Sequence, residues 1–227
     1  MRIKLKKWAK EELLKNEFFI QSPIEVRGKW QYMFTNKRNP IHLEIGCGKG
    51  MFLANMAKKN PNINFIGIDI NDSVLGVACR TVNNLFSDEP PKNLKLARVN
   101  ANNIEELFDY NDEVDKIYIN FPVPWEKPKH NKRRLTYTSQ LCKYRAFLKD
   151  GGEIFFKTDS EILYKDTLEY FKNANFEIVK CTDNLDRDNI FRDNTITVHE
   201  QIYSLQGVTI KAIIAKSINL ITKNTLN

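Results

Sequence analysis

Seven short runs of apolar, β-branched and aromatic residues punctuate the chain: PIHLEIG at 40–46, NFIGIDI at 64–70, LKLARV at 94–99, KIYINF at 116–121, GEIFFKT at 152–158, FEIVKC at 176–181 and VTIKAIIAK at 208–216. Runs of this length and composition, set between Gly, Pro, Asn and Asp, read as strands. Between them the apolar positions recur at helical spacing near 51–59, 72–86, 104–108, 139–147 and 162–173, and strands alternating with such segments predict a parallel sheet with helices on both faces. After about residue 182 a polar loop to about Val198 and a short segment leave too little chain for another full crossover helix. An antiparallel pair at one edge is therefore expected. The predicted fold is a doubly wound, Rossmann-like α/β sheet of seven mostly parallel strands with an antiparallel edge strand. Ligands of such sheets lie beyond the carboxyl ends of the strands, where the strand order reverses, so the residues just after each strand carry the functional information.

Length and charge narrow the classes. The 227 residues, 42% of them hydrophobic, suit one domain with a full core, divided here into a basic N-terminal extension over 1–39 and a main domain over 40–227. A formal charge of +7 draws the molecule towards acidic partners. The charged N-terminus has no apolar secretory core, and no segment approaches the ~18 apolar residues of a membrane span, so a cytoplasmic protein is expected. Cys47, Cys79, Cys142 and Cys181 stand far apart without a Cys-x-x-Cys pair. Neither a zinc cage nor a disulfide framework is indicated, and free thiols of this kind usually fill small spaces.

The first strand runs into LEIGCGKG, with Glu44, Gly46, Gly48 and Gly50. A dinucleotide fingerprint would place its third glycine at Met51, and a phosphate loop would require Gly-Lys followed by Ser or Thr; both are absent. Glycines at alternate positions still permit a sharp turn and close approach of a ligand. Glu44 sets a carboxylate at the loop mouth where a cationic amine could be held, and Asp69 ends the second strand where a carboxylate accepts ribose hydroxyls. A ligand with an amino-acid head, a ribose and no phosphate is S-adenosylmethionine. Other readings stand beside these: a buried paired acid for Glu44, a helix cap for Asp69 (although Asn71, Asp72 and Ser73 offer caps of their own), and turn chemistry for Asn100, whose amide could otherwise accept from the adenine amine.

The segment FPVPWEKPKHNKRRL joins Pro122, Pro124 and Trp125 to Lys127, Lys129, His130, Lys132, Arg133 and Arg134. It reads as a base-stacking ledge beside a phosphate-binding run, or as ordinary packing beside a solvated charge run. A second basic run, Arg2, Lys4, Lys6, Lys7 and Lys10, is an RNA-binding arm or an exposed face.

Together MRIKLKKWA and GKW, LEIGCGKG, FIGIDI, NFPVPWEKPKHNKRRLTY, FFKTDSEILY and TVHEQIYSLQGVTI resemble the bacterial tRNA (guanine-N7-)-methyltransferase family over nearly the whole chain. The resemblance implies a class I methyltransferase domain that uses S-adenosylmethionine to methylate N7 of a guanine in the tRNA variable loop. It implies cofactor contacts at Glu44, Asp69 and Asn100, joined by the glycines Gly46, Gly48 and Gly50, and tRNA contacts at Lys127, Asp159, Thr197, His199 and Glu200. Asn120, Trp125, His130, Lys132, Arg133 and Arg134 complete the expected tRNA-binding set, and no metal is called for. Three departures stand out: Asn100 for a usual Asp, His199 for a usual Tyr, and Val123 for the usual acid before Pro-Trp. Monomer and homodimer both remain open.

The chemistry sets the weight of the last departure. Guanine N7 carries an in-plane lone pair, so its methylation needs alignment more than a general base. The product is a cationic purine whose N1–H and amino group become stronger donors, which a carboxylate stabilises preferentially in the transition state. Asp159 and Glu200 are the expected catalytic carboxylates, and an Asp at 159 could alternatively cap the following helix. Two rival classes are weaker on the residues. An adenine amino-methyltransferase would show Asn or Asp before Pro-Pro and an aromatic, whereas Asn120 precedes Phe121 and a single Pro; a non-catalytic RNA binder would have little use for the glycine loop and Asp69.

Overall fold

The computed structural model describes residues 5–87, 89–188 and 196–218. Among them an eight-stranded sheet runs in the order β1-β4-β3-β2-β5-β6-β8-β7, with β1 Phe19–Ile20, β2 Ile41–Ile45, β3 Asn64–Asp69, β4 Leu94–Arg98, β5 Val114–Asn120, β6 Leu148–Thr158, β7 Phe176–Thr182 and β8 Lys211–Ser217. Strands β1 to β6 pair in parallel, while β8 is antiparallel to both β6 and β7. The expected antiparallel pair is thus present at the β7 edge. The eighth strand is β1, two residues contributed by the N-terminal segment and too short to show as a sequence run.

The α-helices are α1 Ala9–Leu14, α2 Met51–Lys59, α3 Asp72–Leu85, α4 Thr138–Arg145, α5 Glu161–Asn173 and α6 Val198–Leu205. Side-chain oxygens start three of them: Asn71 accepts from the Val74 amide, Ser160 from Leu163 and Thr197 from Glu200, each satisfying a donor that the first turn leaves without a helical partner. Two expectations change. Residues 101–106 form a 3₁₀ turn rather than an α-helix over 104–108. The stretch before the last strand, read as too short for a crossover helix, accommodates the two turns of α6, because an antiparallel neighbour needs no crossover. Residues 189–195 of the loop expected there, and Arg2 and Lys4 of the basic run, lie outside the described residues.

One face of the sheet packs Leu43, Ile45, Ile66, Ile117, Ile119, Ile154 and Phe156 against α4, α5 and the segment around Trp30. The other packs Phe65, Leu94 and Leu96 against α2 and α3. Strands covered on both faces become continuous apolar runs, which is why they were readable. The N-terminal segment is part of this core. Trp30 is fully buried, stacks on Phe108 at 5.2 Å and donates its indole N–H to the Leu107 carbonyl at 2.8 Å. The Asp112 carboxylate accepts from the Gly28 and Trp30 amides. Among the described residues, no helix is long and apolar enough to cross a membrane.

Candidate active site and nucleic-acid interface

Strand order reverses between β2 and β5, and the site is built on the ends of these two strands. Beyond β2 the chain turns through Gly46, Gly48 and Gly50 at φ 78, 56 and 73°, a region in which a side chain is strained. The amides of Gly46 and Cys47 both donate to the Ile68 carbonyl, at 2.8 and 3.0 Å, pinning the turn to β3. A Cβ on Gly46 or Gly48 would have no heavy-atom neighbour closer than 3.9 Å, so the space before them is open. At Gly50 it would lie 2.9 Å from the Ala78 Cβ. Gly50, expected among the cofactor contacts, is turned towards α3 and lets the two helices approach.

Glu44 is buried at the end of β2. Its Oε1 accepts from the Asn120 Nδ2 at 3.0 Å, across the point where the sheet changes direction. Glu44 Oε2 and Asn120 Oδ1 are buried with no hydrogen-bond partner among the described residues. Such atoms are costly unless a ligand or water completes them. Burial pushes the Glu44 carboxyl up to about 8, against the pull of the Asn120 hydrogen bond and the Lys157 charge. Asp69 lies at the end of β3, its two oxygens accepting from the Gly48 amide at 3.2 Å and the Asn71 amide at 2.9 Å. Burial holds its carboxyl above the usual range despite those amides. Since Asn71 caps α3, Asp69 is not the cap. Asn100 is exposed and its side-chain oxygen accepts from the Asn102 amide at 3.1 Å, which is the turn chemistry left open above.

The basic segment divides. Lys127, at the start of a 3₁₀ turn over Pro128–Arg133, is exposed, as are Lys132 and Arg133 within it, with His130 half-buried. Arg133 lies over the half-buried Trp125 ring at 5.2 Å, and His130 meets the same ring edge-on at 5.7 Å. Arg134 points the other way. Its side chain is 1% exposed, donates to the Pro124 carbonyl at 2.8 Å and the Trp125 carbonyl at 3.3 Å, and reaches Asp166 and the Tyr170 hydroxyl on α5. The expectation that Arg134 meets phosphate is corrected: its guanidinium fixes the Pro-Trp turn to α5. That turn is strained, with Phe121 at φ 49° and Trp125 at φ 44°, values unusual for bulky residues.

On the far side of β5, Lys157 of β6 is 0% exposed, with its Nζ 2.8 Å from Glu200 Oε2. The same carboxylate accepts from the Thr197 amide at 2.7 Å, while the Thr197 hydroxyl accepts from the Glu200 amide. Glu200 and Thr197, expected at the substrate, are therefore both buried as a capping box that starts α6. Burial lowers the Lys157 pKa, opposed by the Glu200 charge. His199, the residue before Glu200 in α6, is exposed and stacks on Phe121 at 5.4 Å and 20°. Asp159 is exposed just past β6, and Ser160 rather than Asp159 caps α5; Val123 is also exposed, at 61%. Lys157 and Phe121 escaped the sequence reading. A lysine directly after two phenylalanines, in FFKT, is the one available signal, since an unpaired lysine is rarely buried.

Residues 38–213 match a family described as "Putative methyltransferase". A tRNA (guanine-N(7)-)-methyltransferase of Clostridium perfringens is 47% identical over 220 residues, covering 96% of this chain and 100% of the relative. One of Acetivibrio thermocellus is 41% identical over 218 residues, covering 95% and 99%. Solved structures similar to this fold include an antibiotic-related methyltransferase, TM-score 0.56 at 15% identity over 96% of this chain and 97% of that one, and the 16S rRNA methyltransferase KamB, 0.59 at 11% over 80% and 89%.

Proposed function

The chain belongs to the tRNA (guanine-N(7)-)-methyltransferase family and is an S-adenosylmethionine-dependent enzyme, and from that premise we propose that it methylates N7 of a guanine in the tRNA variable loop, at the strand ends of β2, β3 and β5. The observation that carries this reading is the pair of unpartnered buried atoms, Glu44 Oε2 and Asn120 Oδ1, at the mouth of an open glycine turn. A cationic amine would complete both. Asp69, on the adjacent strand, retains lone pairs for a ribose diol while its amide contacts hold its orientation. These donors and acceptors fit S-adenosylmethionine, which supplies an electrophilic methyl group when bound.

The protein's task is to present guanine N7 in line with that methyl, since the lone pair is already available and no proton has to be removed first. Phe121 and His199 form an aromatic wall beside Asn120, and Asp159 provides an exposed carboxylate for the purine edge that turns more acidic as charge develops. Lys127, His130, Lys132 and Arg133 face outwards for the tRNA backbone, with Trp125 between them. Glu200 acts from behind this surface, through α6. The basic balance of the chain suits this partner, and the setting is the cytoplasm. The deciding experiment is to map methylated nucleosides in unmodified tRNA incubated with the protein and labelled cofactor. Label in 7-methylguanosine of the variable loop is expected; label in a base amino group, or none, would remove the reading.

A further inference from the structure

The Lys157–Glu200 pair ties the first turn of α6 to a central strand of the sheet. Lys157 is paired in register with Asn120 on β5 and with Ala212 on β8, so its backbone is fixed in the middle of the sheet. Its ammonium lies near the Phe155 ring at 5.0 Å and the Phe52 ring at 5.8 Å. From the cofactor side the Glu44 carboxylate attracts it, and from the α6 side Glu200 binds it. Glu200 is the third residue of α6 and also accepts the Thr197 amide. The next residue back, His199, is the one stacked on Phe121. Two further contacts hold α6 beyond this anchor: Tyr203 packs, half-buried, against the cluster of Phe52, Tyr118 and Phe155 and lies 5.9 Å from the Phe121 ring, and the Ser204 hydroxyl donates to Asp186 at 2.7 Å. Val198, Ile202 and Leu205 are exposed, and Glu200 is the one fully buried residue of the helix.

We propose that Lys157 is a positioning residue for the methyl transfer: through the Glu200 carboxylate it seats the start of α6, and thereby sets the His199 ring against Phe121 at the entrance to the cofactor site. The proposal rests on the functional reading above for the identity of the ligands, and on the geometry alone for the seating of α6. A long cation on a central strand suits this task because its reach from the sheet to the helix is fixed at both ends. An apolar side chain would fill the same space without specifying where along α6 the contact falls, which is the role best attested for buried polar pairs.

The test is Lys157→Met, which keeps the length and removes the charge, beside Lys157→Met/Glu200→Gln, which removes the lone buried carboxylate yet keeps a residue able to form the capping box. Backbone hydrogen exchange is read at α6 and, as an internal control, at α5 and β6; cofactor affinity and the tRNA KM and kcat are measured in parallel. Exchange at α6 should quicken tenfold or more in both variants while α5 and β6 stay as in wild type. The tRNA KM, read at saturating cofactor, should rise about tenfold; cofactor affinity should weaken as well below about pH 8, because the Lys157 charge favours the ionised Glu44. Unchanged exchange at α6, equal loosening of α5 and β6, or restoration of α6 by the double variant would each overturn the proposal. A wild type that fails to methylate tRNA would remove the functional reading instead, while exchange at α6 would still decide the seating.

Discussion

Asn120 on β5 holds Glu44 on β2 by one carboxylate oxygen at 3.0 Å, spanning the reversal in strand order and leaving the other oxygen buried without a hydrogen-bond partner among the described residues. Burial keeps the Glu44 carboxyl protonated up to about pH 8, whereas a bound ammonium requires the carboxylate. Cofactor affinity should therefore fall as pH drops below about 8, approaching tenfold per unit, with a proton released on binding near pH 7. An α-amino group titrates at about 7.7–8.0, so affinity should decline again above that range. Calorimetry in buffers of different ionisation enthalpy would reveal the released proton. Glu44→Gln should bind weakly and lose the acid limb; an unaltered acid limb in that variant would show that another group controls it.

Arg134 and its neighbours Lys132 and Arg133 should separate cleanly. Arg134→Ala leaves the Pro124 and Trp125 carbonyls and part of Asp166 without their donor, and should lower unfolding stability by about 2–3 kcal/mol, as read by denaturant titration. Lys132→Ala/Arg133→Ala should leave stability within about 0.5 kcal/mol and flatten the salt dependence of tRNA affinity by up to about two contacts. Equal stability losses in the two proteins would contradict this division.

Asp159 is exposed just past the end of β6, and Val123 carries no charge that could act in its place. Turnover of Asp159→Ala on tRNA at saturating cofactor should fall on the order of 10²-fold, the usual effect of losing a transition-state electrostatic contact. Val123→Asp should match wild type or exceed it modestly. An inert wild type beside an active Val123→Asp would mean that the missing acid is indispensable.

Two glycines of one loop should respond differently to alanine. Gly50→Ala meets Ala78 at 2.9 Å at a φ of 73°, adding overpacking to backbone strain, and should destabilise by about 2–4 kcal/mol. Gly48→Ala meets nothing closer than the Gly46 carbonyl oxygen at 4.0 Å and should cost about 1 kcal/mol in stability from its positive φ alone, with the larger effect on cofactor affinity. Thermal unfolding with and without cofactor distinguishes the two.

The strands were legible because burial on both faces erases the alternation and leaves apolar runs such as FIGID and KIYIN. The positions of Glu44 and Asp69 at the ends of β2 and β3 were legible because each closes an apolar run, and strand ends are where such sheets place ligands. The direction of Arg134 was not. In HNKRRL every cation looks alike, and only the 3₁₀ winding of 128–133, with its end at Arg134, decides which one turns inwards. The Thr197-x-x-Glu200 spacing carried two meanings, a capping box and a substrate motif, and only the buried Lys157 Nζ at Glu200 shows how the first is tied to the sheet. Lys157 itself had no local marker beyond its apolar neighbours, since its two carboxylate neighbours lie 113 residues before it and 43 after it in the chain.

The antiparallel strand β8 lies between β6 and β7, although it follows both in the chain. Among the described residues β7 pairs with β8 alone. During synthesis β7 therefore emerges with nothing to pair with, and β6 presents an open edge until the last strand arrives. The interval exposes two templates for intermolecular pairing. Closing it requires insertion of a late segment between two earlier ones, a non-local step of the kind that slows folding. Helix α6 immediately precedes that segment, so the stacking of His199 on Phe121 is completed among the final events of folding, after β1 to β6 are in place.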